Sequence, residues 1–188
     1  MLNKTTVNVI KWIVTLCLPF MFAALMTTLV IRPWYPRWEY ARAGFPADAY
    51  GWNDAERLEL ALVAVDYLQQ RGTAADTIFM LEEQRMPDRD APLYNEREIE
   101  HMVDVKVRTD AIRRGGWVLA ILVVGGLTAL LSKRDTERAA YLALRNGGYA
   151  TIVILIGIGG FLLLAWETFF VQFHELLFPP GTWTFSYS

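Results

Sequence analysis

Cysteine, histidine and clustered positive charge are what this 188-residue sequence has least of. The one cysteine, Cys17, sits in the middle of an apolar run, so no disulfide can form within the chain and cysteine usage says nothing of redox compartment. A thiol in apolar surroundings stays protonated, which sets Cys17 aside as a nucleophile. The net charge is −2, and no Lys/Arg cluster interleaves with aromatics, so nothing points to nucleic acid as a partner. There is no internal repeat and no low-complexity segment. A G-x-S-x-G elbow and a glycine-rich phosphate loop of the expected form are also missing. What is plentiful is apolar: hydrophobic residues make up 54% and charged residues 20%. They come in blocks rather than in alternation, which is the profile of a membrane protein.

Three blocks are long enough to cross a bilayer. Val9 to Ile31 is apolar apart from Lys11 and a few hydroxyls, and at ~1.5 Å rise per residue it spans a ~30 Å hydrocarbon core. Pro19 inside it is tolerated in lipid better than in water. Lys4 and Lys11 give a basic flank, but the run is too long for a signal peptide's apolar region. Arg32-Pro33-Trp34 is no small-residue cleavage site either, so the segment reads as an uncleaved span. Trp34, Tyr35, Trp38 and Tyr40 then suit the headgroup layer. The second span covers 116–132, where Gly125-Gly126 allows close helix contact. The third runs from Tyr149 to Trp166 and its helix continues towards residues 170–173, with Gly157, Gly159 and Gly160 again permitting close approach. The expected organisation is therefore 1–31 as N-terminus and first span, 32–115 as a helix-rich outer domain, and 116–132 as the second span. A polar connector (133–148), the third span (149–170) and a tail (171–188) follow. The basic N-terminus and the basic short connector place both in the cytoplasm, and 32–115 and the tail outside.

Within 32–115, Asn53 or Asp54 should cap a helix over 55–68, and Gly72 should end it as the C′ residue. Leu58, Leu62, Val65 and Leu68 give that helix an apolar face. Thr77 to Leu81 is ambiguous between helix and strand, and 86–92 reads as a turn from its prolines and aspartates. Asn95 followed by Glu98 reads as a capping box opening a further helix. That helix should run to about Arg114, with Gly115-Gly116 as its break or hinge.

This last helix carries the sharpest chemical lead. His101, Asp104 and Arg108 fall at i, i+3 and i+7, along one face, and a carboxylate beside a histidine fixes its tautomer and raises its basicity. The chain's other histidine, His174, follows the third span, and Glu167 lies seven residues before it. The topology brings both histidines to one membrane face, with an expected separation within roughly 10 Å. The bland reading is a solvated helix face with two interfacial histidines. Sharper motifs fail on spacing. His174-Glu175 would need a second histidine at the position of Phe178 to be a zinc-protease motif. Glu98-Ile99-Glu100-His101 has no second copy to make a di-iron site. A single metal on His101, His174 and Glu98 or Asp104 is a minor alternative.

The block Asn95-Glu96-Arg97-Glu98-Ile99-Glu100-His101-Met102-Val103-Asp104-Val105-Lys106 resembles the "rEi.HM.DV" block of the lipoprotein intramolecular transacylases, small bacterial integral membrane proteins. Phe173-His174-Glu175-Leu176-Leu177-Phe178, with Trp183 and Phe185, resembles that family's "FH.lfF….W.F" block. The order, separation and span pattern agree over most of the chain. The family's members continue into a fourth span, whereas this sequence stops at Ser188, so the expected fold is all-α with three spans and the family's fourth helix absent. The resemblance implies transfer of the sn-2 acyl chain of a diacylglyceryl-cysteine lipoprotein onto that cysteine's own α-amino group. It implies a diacylated lipoprotein as substrate and membrane lipids as surroundings, and no cofactor is expected. Residue chemistry fits: an α-amine with a pKa near ~8 needs a base, and a neutral histidine suits that task. His101 and His174 are the expected acid/base pair. Asp104 would orient His101, Lys106 or Arg108 would stabilise the oxyanion or hold the peptide, and Glu167 would set the protonation of His174. The alternative from another class is a non-catalytic membrane protein whose outer domain binds a partner or a lipid.

Overall fold

An apolar run of about 20 residues has one open-ended solution in lipid, a helix that satisfies its own backbone, and the longest elements follow from that. The computed structural model describes residues 2–48, 51–86 and 89–184. Its helices are α1 (Lys4–Val30), α2 (Trp34–Tyr40), α3 (Asp54–Gln69), α4 (Ala74–Thr77), α5 (Phe79–Glu82), α6 (Glu96–Leu131), α7 (Arg134–Leu164) and α8 (Trp166–Leu177). Among the described residues the sole β pairing is one bridge between Arg85 and Pro92. The protein is all-α, and α1, α6 and α7 are long and apolar enough to cross a membrane.

The chain forms two compact units. The first comprises Met1–Met26 and Ile112–Gln172. Its core is Val14, Leu18, Val123 and Ala143, packed by Ile10, Cys17, Met21 and Leu127. Lipid supplies little hydrophobic force between helices, so close backbone approach must do the holding. A Cβ on Gly116 would lie 2.9 Å from Ala24 Cβ, one on Gly126 2.7 Å from Val14 Cγ2, and one on Gly147 2.8 Å from Leu18 Cδ2. Thr15 Oγ1 donates to Ala143 O at 3.3 Å, a buried tie of the same kind. Large apolar side chains such as Leu163 (88% exposed) and Ile156 (70%) face outwards, as lipid-facing residues do.

The second unit comprises Thr27–Ala111 and Phe173–Ser188, and capping chemistry sets its short elements. Asn53 and Glu56 form a capping box at the start of α3, and Thr73 and Asp76 form one at α4. Asn95 and Glu98 exchange the same pair of bonds, at 2.9 and 3.0 Å, immediately before α6. Tyr67, Leu81 and Lys106 are fully buried here.

Several expectations change. Gly115-Gly116 is no break: α6 runs straight through it, and Gly116 serves contact with Ala24 instead. Gly157, Gly159 and Gly160 have no packing neighbour within 4 Å of their Cβ positions beyond their own stretch of helix, whereas Gly147, expected in the connector, makes the contact. Residues 134–148 are the first half of α7, joined to α6 through Ser132 and Lys133. The third apolar helix is interrupted at Ala165 (φ −149°, ψ 54°) before α8 begins. No proline or glycine marks that break; Phe161 and Phe169 meet edge to face across it, with centroids 5.6 Å apart. Gly72 has φ +117° but sits one position later than C′, because α3 ends at Gln69 with Gln70 as its C-cap. Thr77–Leu81 is helical, divided between α4 and α5. Pro87 and Asp88 of the expected turn, and Phe185 of the second block, lie outside the described residues.

Adjacent glycines give a clean test of the packing. Gly126→Ala should lower the thermal midpoint in detergent by the equivalent of about 1–3 kcal/mol, because stiff, buried Val14 has to move. Gly125→Ala meets nothing within 4 Å and should leave the midpoint unchanged or higher, since alanine is the better helix former. Equal effects would show that contact with Val14 is not what selects glycine.

Candidate active site

The capping box at Asn95 and Glu98 fixes where α6 starts, and that start places His101 in its second turn. His174 lies near the end of α8. Beyond it, Pro179-Pro180-Gly181-Thr182 forms a tight turn: Thr182 N–H donates to Pro179 O at 3.4 Å and Gly181 adopts φ +86°. Proline then glycine at the two central positions is what a type II turn asks for. Arg97 Nη2 donates to Gly181 O at 3.0 Å, tying the turn to α6.

The result is an aromatic cluster around the two imidazoles. The ring centroids of His101 and His174 are 6.4 Å apart with planes 29° from parallel, inside the expected separation of roughly 10 Å. Phe178 touches both, at 5.0 Å from His101 and 5.6 Å from His174. Trp183 lies against His174, with centroids 5.0 Å apart and planes tilted by 32°. Ring pairs at these separations contribute about 0.5–1.5 kcal/mol each beyond burial, so the cluster holds the imidazoles in place. The sequence carried a signal for this cover in Pro-Pro-Gly, a turn that folds Trp183 back, but none for the part played by Arg97.

Electrostatics then favour a neutral base. Burial pushes the His101 pKa below the ordinary histidine value and the charge of His174 adds to this, while Asp104 opposes both. A neutral imidazole at pH 7 is the form that accepts a proton. Asp104 thus reaches His101 through its field. Arg108 is exposed on α6, and Glu167 is exposed in the first turn of α8, the helix that carries His174. Among the described residues, no three His, Cys, Asp or Glu side chains converge as metal ligands do.

Lys106 is fully buried, and its ammonium lies at the end of α3. Nζ donates to Tyr67 O at 3.1 Å and to Gln70 O at 2.8 Å, carbonyls that a helix C-terminus leaves without partners. Asp110 Oδ2 lies 3.8 Å away. Tyr67 answers by donating its hydroxyl to Met102 O at 3.3 Å. Its phenol is pushed up to about 12 by burial and by Asp110, so it remains a donor at any physiological pH. Together they clamp α3 to α6 one turn beyond His101.

That clamp has a consequence for shape. Between α3, α6 and the side chains of Tyr40, Asp48 and Trp52 is a cavity of about 470 Å³, lined also by Arg57, Tyr94, Glu98 and His101. Arg57 Nη1 donates to Pro46 O at 2.7 Å, its Nε lies 3.6 Å from Asp48 Oδ1, and its guanidinium covers the rings of Phe45 and Tyr40. Burial and the Glu98 charge raise the Tyr94 pKa. Sequence reading missed this cavity, because Asp48, Arg57 and Glu98 converge only once α3 and α6 are placed.

Comparison with known proteins agrees with the architecture. The family described as "Lipoprotein intramolecular transacylase Lit" matches residues 10–188. A crystal structure of the membrane-integral lipoprotein intramolecular transacylase Lit from Bacillus cereus is similar with a TM-score of 0.62 and 21% identity, over 98% of this chain and 78% of that one. A histidine-substituted form of the same protein gives 0.55 at 21% identity, over 97% and 74%. An uncharacterized protein of Aquifex aeolicus (strain VF5) is 25% identical over 182 residues, 96% of this chain and 78% of that one.

Proposed function

Since the chain belongs to the lipoprotein intramolecular transacylase family, we propose that it moves the sn-2 acyl chain of a diacylglyceryl-cysteine lipoprotein onto that cysteine's own α-amino group. His101 and His174 are the acid/base pair. The observation that carries this is two imidazoles 6.4 Å apart, beside a cavity on one of them. The reaction is an isomerisation. The amine gives a proton to a neutral imidazole and attacks the ester carbonyl; the C–N bond forms as the ester C–O bond breaks, and the sn-2 oxygen leaves with a proton from the pair. No acyl-enzyme is needed, because both reacting groups arrive tethered in one molecule, and holding them together replaces a bimolecular encounter. Arg108 is the candidate for steadying the developing oxyanion or the peptide. The site faces the outer side of the cytoplasmic membrane, where diacylated lipoproteins reside.

The test is turnover of a synthetic diacylglyceryl lipopeptide by the purified protein in detergent or vesicles, followed by mass spectrometry of the N-acyl, mono-acylglyceryl product across pH. A neutral imidazole and a protonated amine, or the equivalent pair with the proton moved, are the reactive states. The rate should therefore trace a bell. Its acid limb should lie below ~6.5 because His101 loses its basic form only as pH falls through its lowered pKa, and its other limb near ~8 where the amine titrates. An acid limb well above 6.5 would argue against His101 as base. Lipopeptide binding with no product at any pH would leave a binding module as the reading.

A further inference from the structure

Resting on the transacylase reading, we infer that the cavity beside His101 is the seat of the substrate's free amino end and the first residues of its peptide, with Glu98 as the counter-ion of the ammonium. The cavity's volume of about 470 Å³ falls in the ~300–1,000 Å³ range of sites that enclose small ligands. Tyr40, Trp52 and Tyr94 line it. The rings that cover His101 and His174, Phe178 and Trp183, do not line the cavity. His101 belongs to both, which is the place for a base that must work between a polar amine and an apolar acyl ester.

The charges of the cavity single out Glu98. Of the other charges that line the cavity, Arg57 is committed to Asp48 and to Pro46 O, so that pair compensates itself. Glu98 forms no ion pair among the described residues; its Oε2 accepts from Asn95 N–H at 2.9 Å as half of the capping box. A carboxylate with one oxygen so occupied has the other for a donor. Glu98 and His101 stand at i and i+3 on α6, a spacing that puts Cβ atoms ~5–6 Å apart. An ammonium bonded to Glu98 therefore has a second N–H within reach of the imidazole. Proton transfer from that N–H to His101 frees the amine's lone pair, and Glu98 holds the nitrogen while its charge disappears; of the two protons the nitrogen sheds on becoming an amide, one passes through the histidine pair to the departing sn-2 oxygen and the other is released to solvent.

The experiment compares Glu98→Gln with wild type. Glutamine keeps the capping-box acceptor and removes only the charge. The probes are the diacylglyceryl lipopeptide with a free amine and its N-acetyl counterpart, which is neutral and cannot react. Wild type should bind the free-amine form about 10- to 100-fold more tightly at pH 7, the worth of a hydrogen bond to a charged group. Glu98→Gln should abolish that preference and raise KM for the free amine by a similar factor, with kcat changed less. An unchanged preference in Glu98→Gln overturns the inference, as does an unchanged KM. The shared ligand chemistry is a primary ammonium, so vesicles of phosphatidylethanolamine and of phosphatidylcholine form a further arm. A Glu98-dependent preference for the former, with no discrimination between lipopeptides, would assign the cavity to a lipid headgroup and also overturn it. His101→Ala keeps the two claims apart: full turnover in that variant would overturn the acid/base reading, whereas the binding preference is measured without turnover.

Discussion

Replacing His101 with alanine is expected to cut acyl transfer by about 10²–10⁴-fold, the usual worth of a positioned general acid or base. His174→Ala should lose a similar amount. The double variant should lose little more than either single one, since groups that act as a unit are not additive. Neither side chain lies in an apolar stretch, so insertion should persist. Packing needs its own control, because both imidazoles touch Phe178. Phe178→Leu provides it: this variant removes the ring contacts while leaving both imidazoles. Loss of activity in His101→Ala with an unchanged thermal midpoint, alongside substantial activity in Phe178→Leu, would assign the effect to proton transfer. The readout is the fraction of lipopeptide carrying an N-acyl, mono-acylglyceryl cysteine. Normal conversion in both histidine variants would end the mechanism.

How the chain announces this pair shows what a sequence exposes and what it hides. The three long apolar helices were legible because lipid leaves the backbone one economical choice, and run length alone reports it. The start of α6 was legible because Asn95 and Glu98 form a local motif, with both of its bonds made within four residues. The proximity of His101 and His174 was inferable from topology, since each adjoins a span. Contacts of long range had no such signal. Arg97 and Gly181 are 84 residues apart, and nothing in either neighbourhood names the other.

Glycine shows the same limit in another form. Gly115-Gly116 and Gly125-Gly126 look alike as dipeptides, and so do Gly159-Gly160 and Gly147-Gly148. Gly116, Gly126 and Gly147 each have a neighbour pressed against the missing Cβ, while Gly115, Gly125, Gly148, Gly159 and Gly160 have none within 4 Å. Which face of a helix meets a partner decides this, and composition does not. The break at Ala165 is harder still: its residue type favours helix, and packing such as the Phe161–Phe169 pair overrides it.

Lys106 is the residue whose chemistry changed most between sequence and structure, and its replacement should have the largest effect on stability. On the sequence it is one charge in a charged run. In the fold it is fully buried, donating to two carbonyls at the end of α3 with Asp110 beside it. Lys106→Met keeps most of the side-chain volume and removes the cation. Tyr67 O and Gln70 O then lose the ammonium that donates to them, and Asp110, with its side chain only 16% exposed, loses the positive charge 3.8 Å from its Oδ2. Breaking a buried pair by removing one partner costs about 3–5 kcal/mol. Asp110→Asn should cost much less, because the ammonium retains both carbonyls. Thermal unfolding in detergent gives these magnitudes, and hydrogen exchange gives the location: protection should fall first at the C-terminal turn of α3. Activity should fall with it as α3 loosens from the cavity wall that faces His101. A Lys106→Met protein as stable as wild type, with α3 still protected, would mean that the clamp does not hold these helices together.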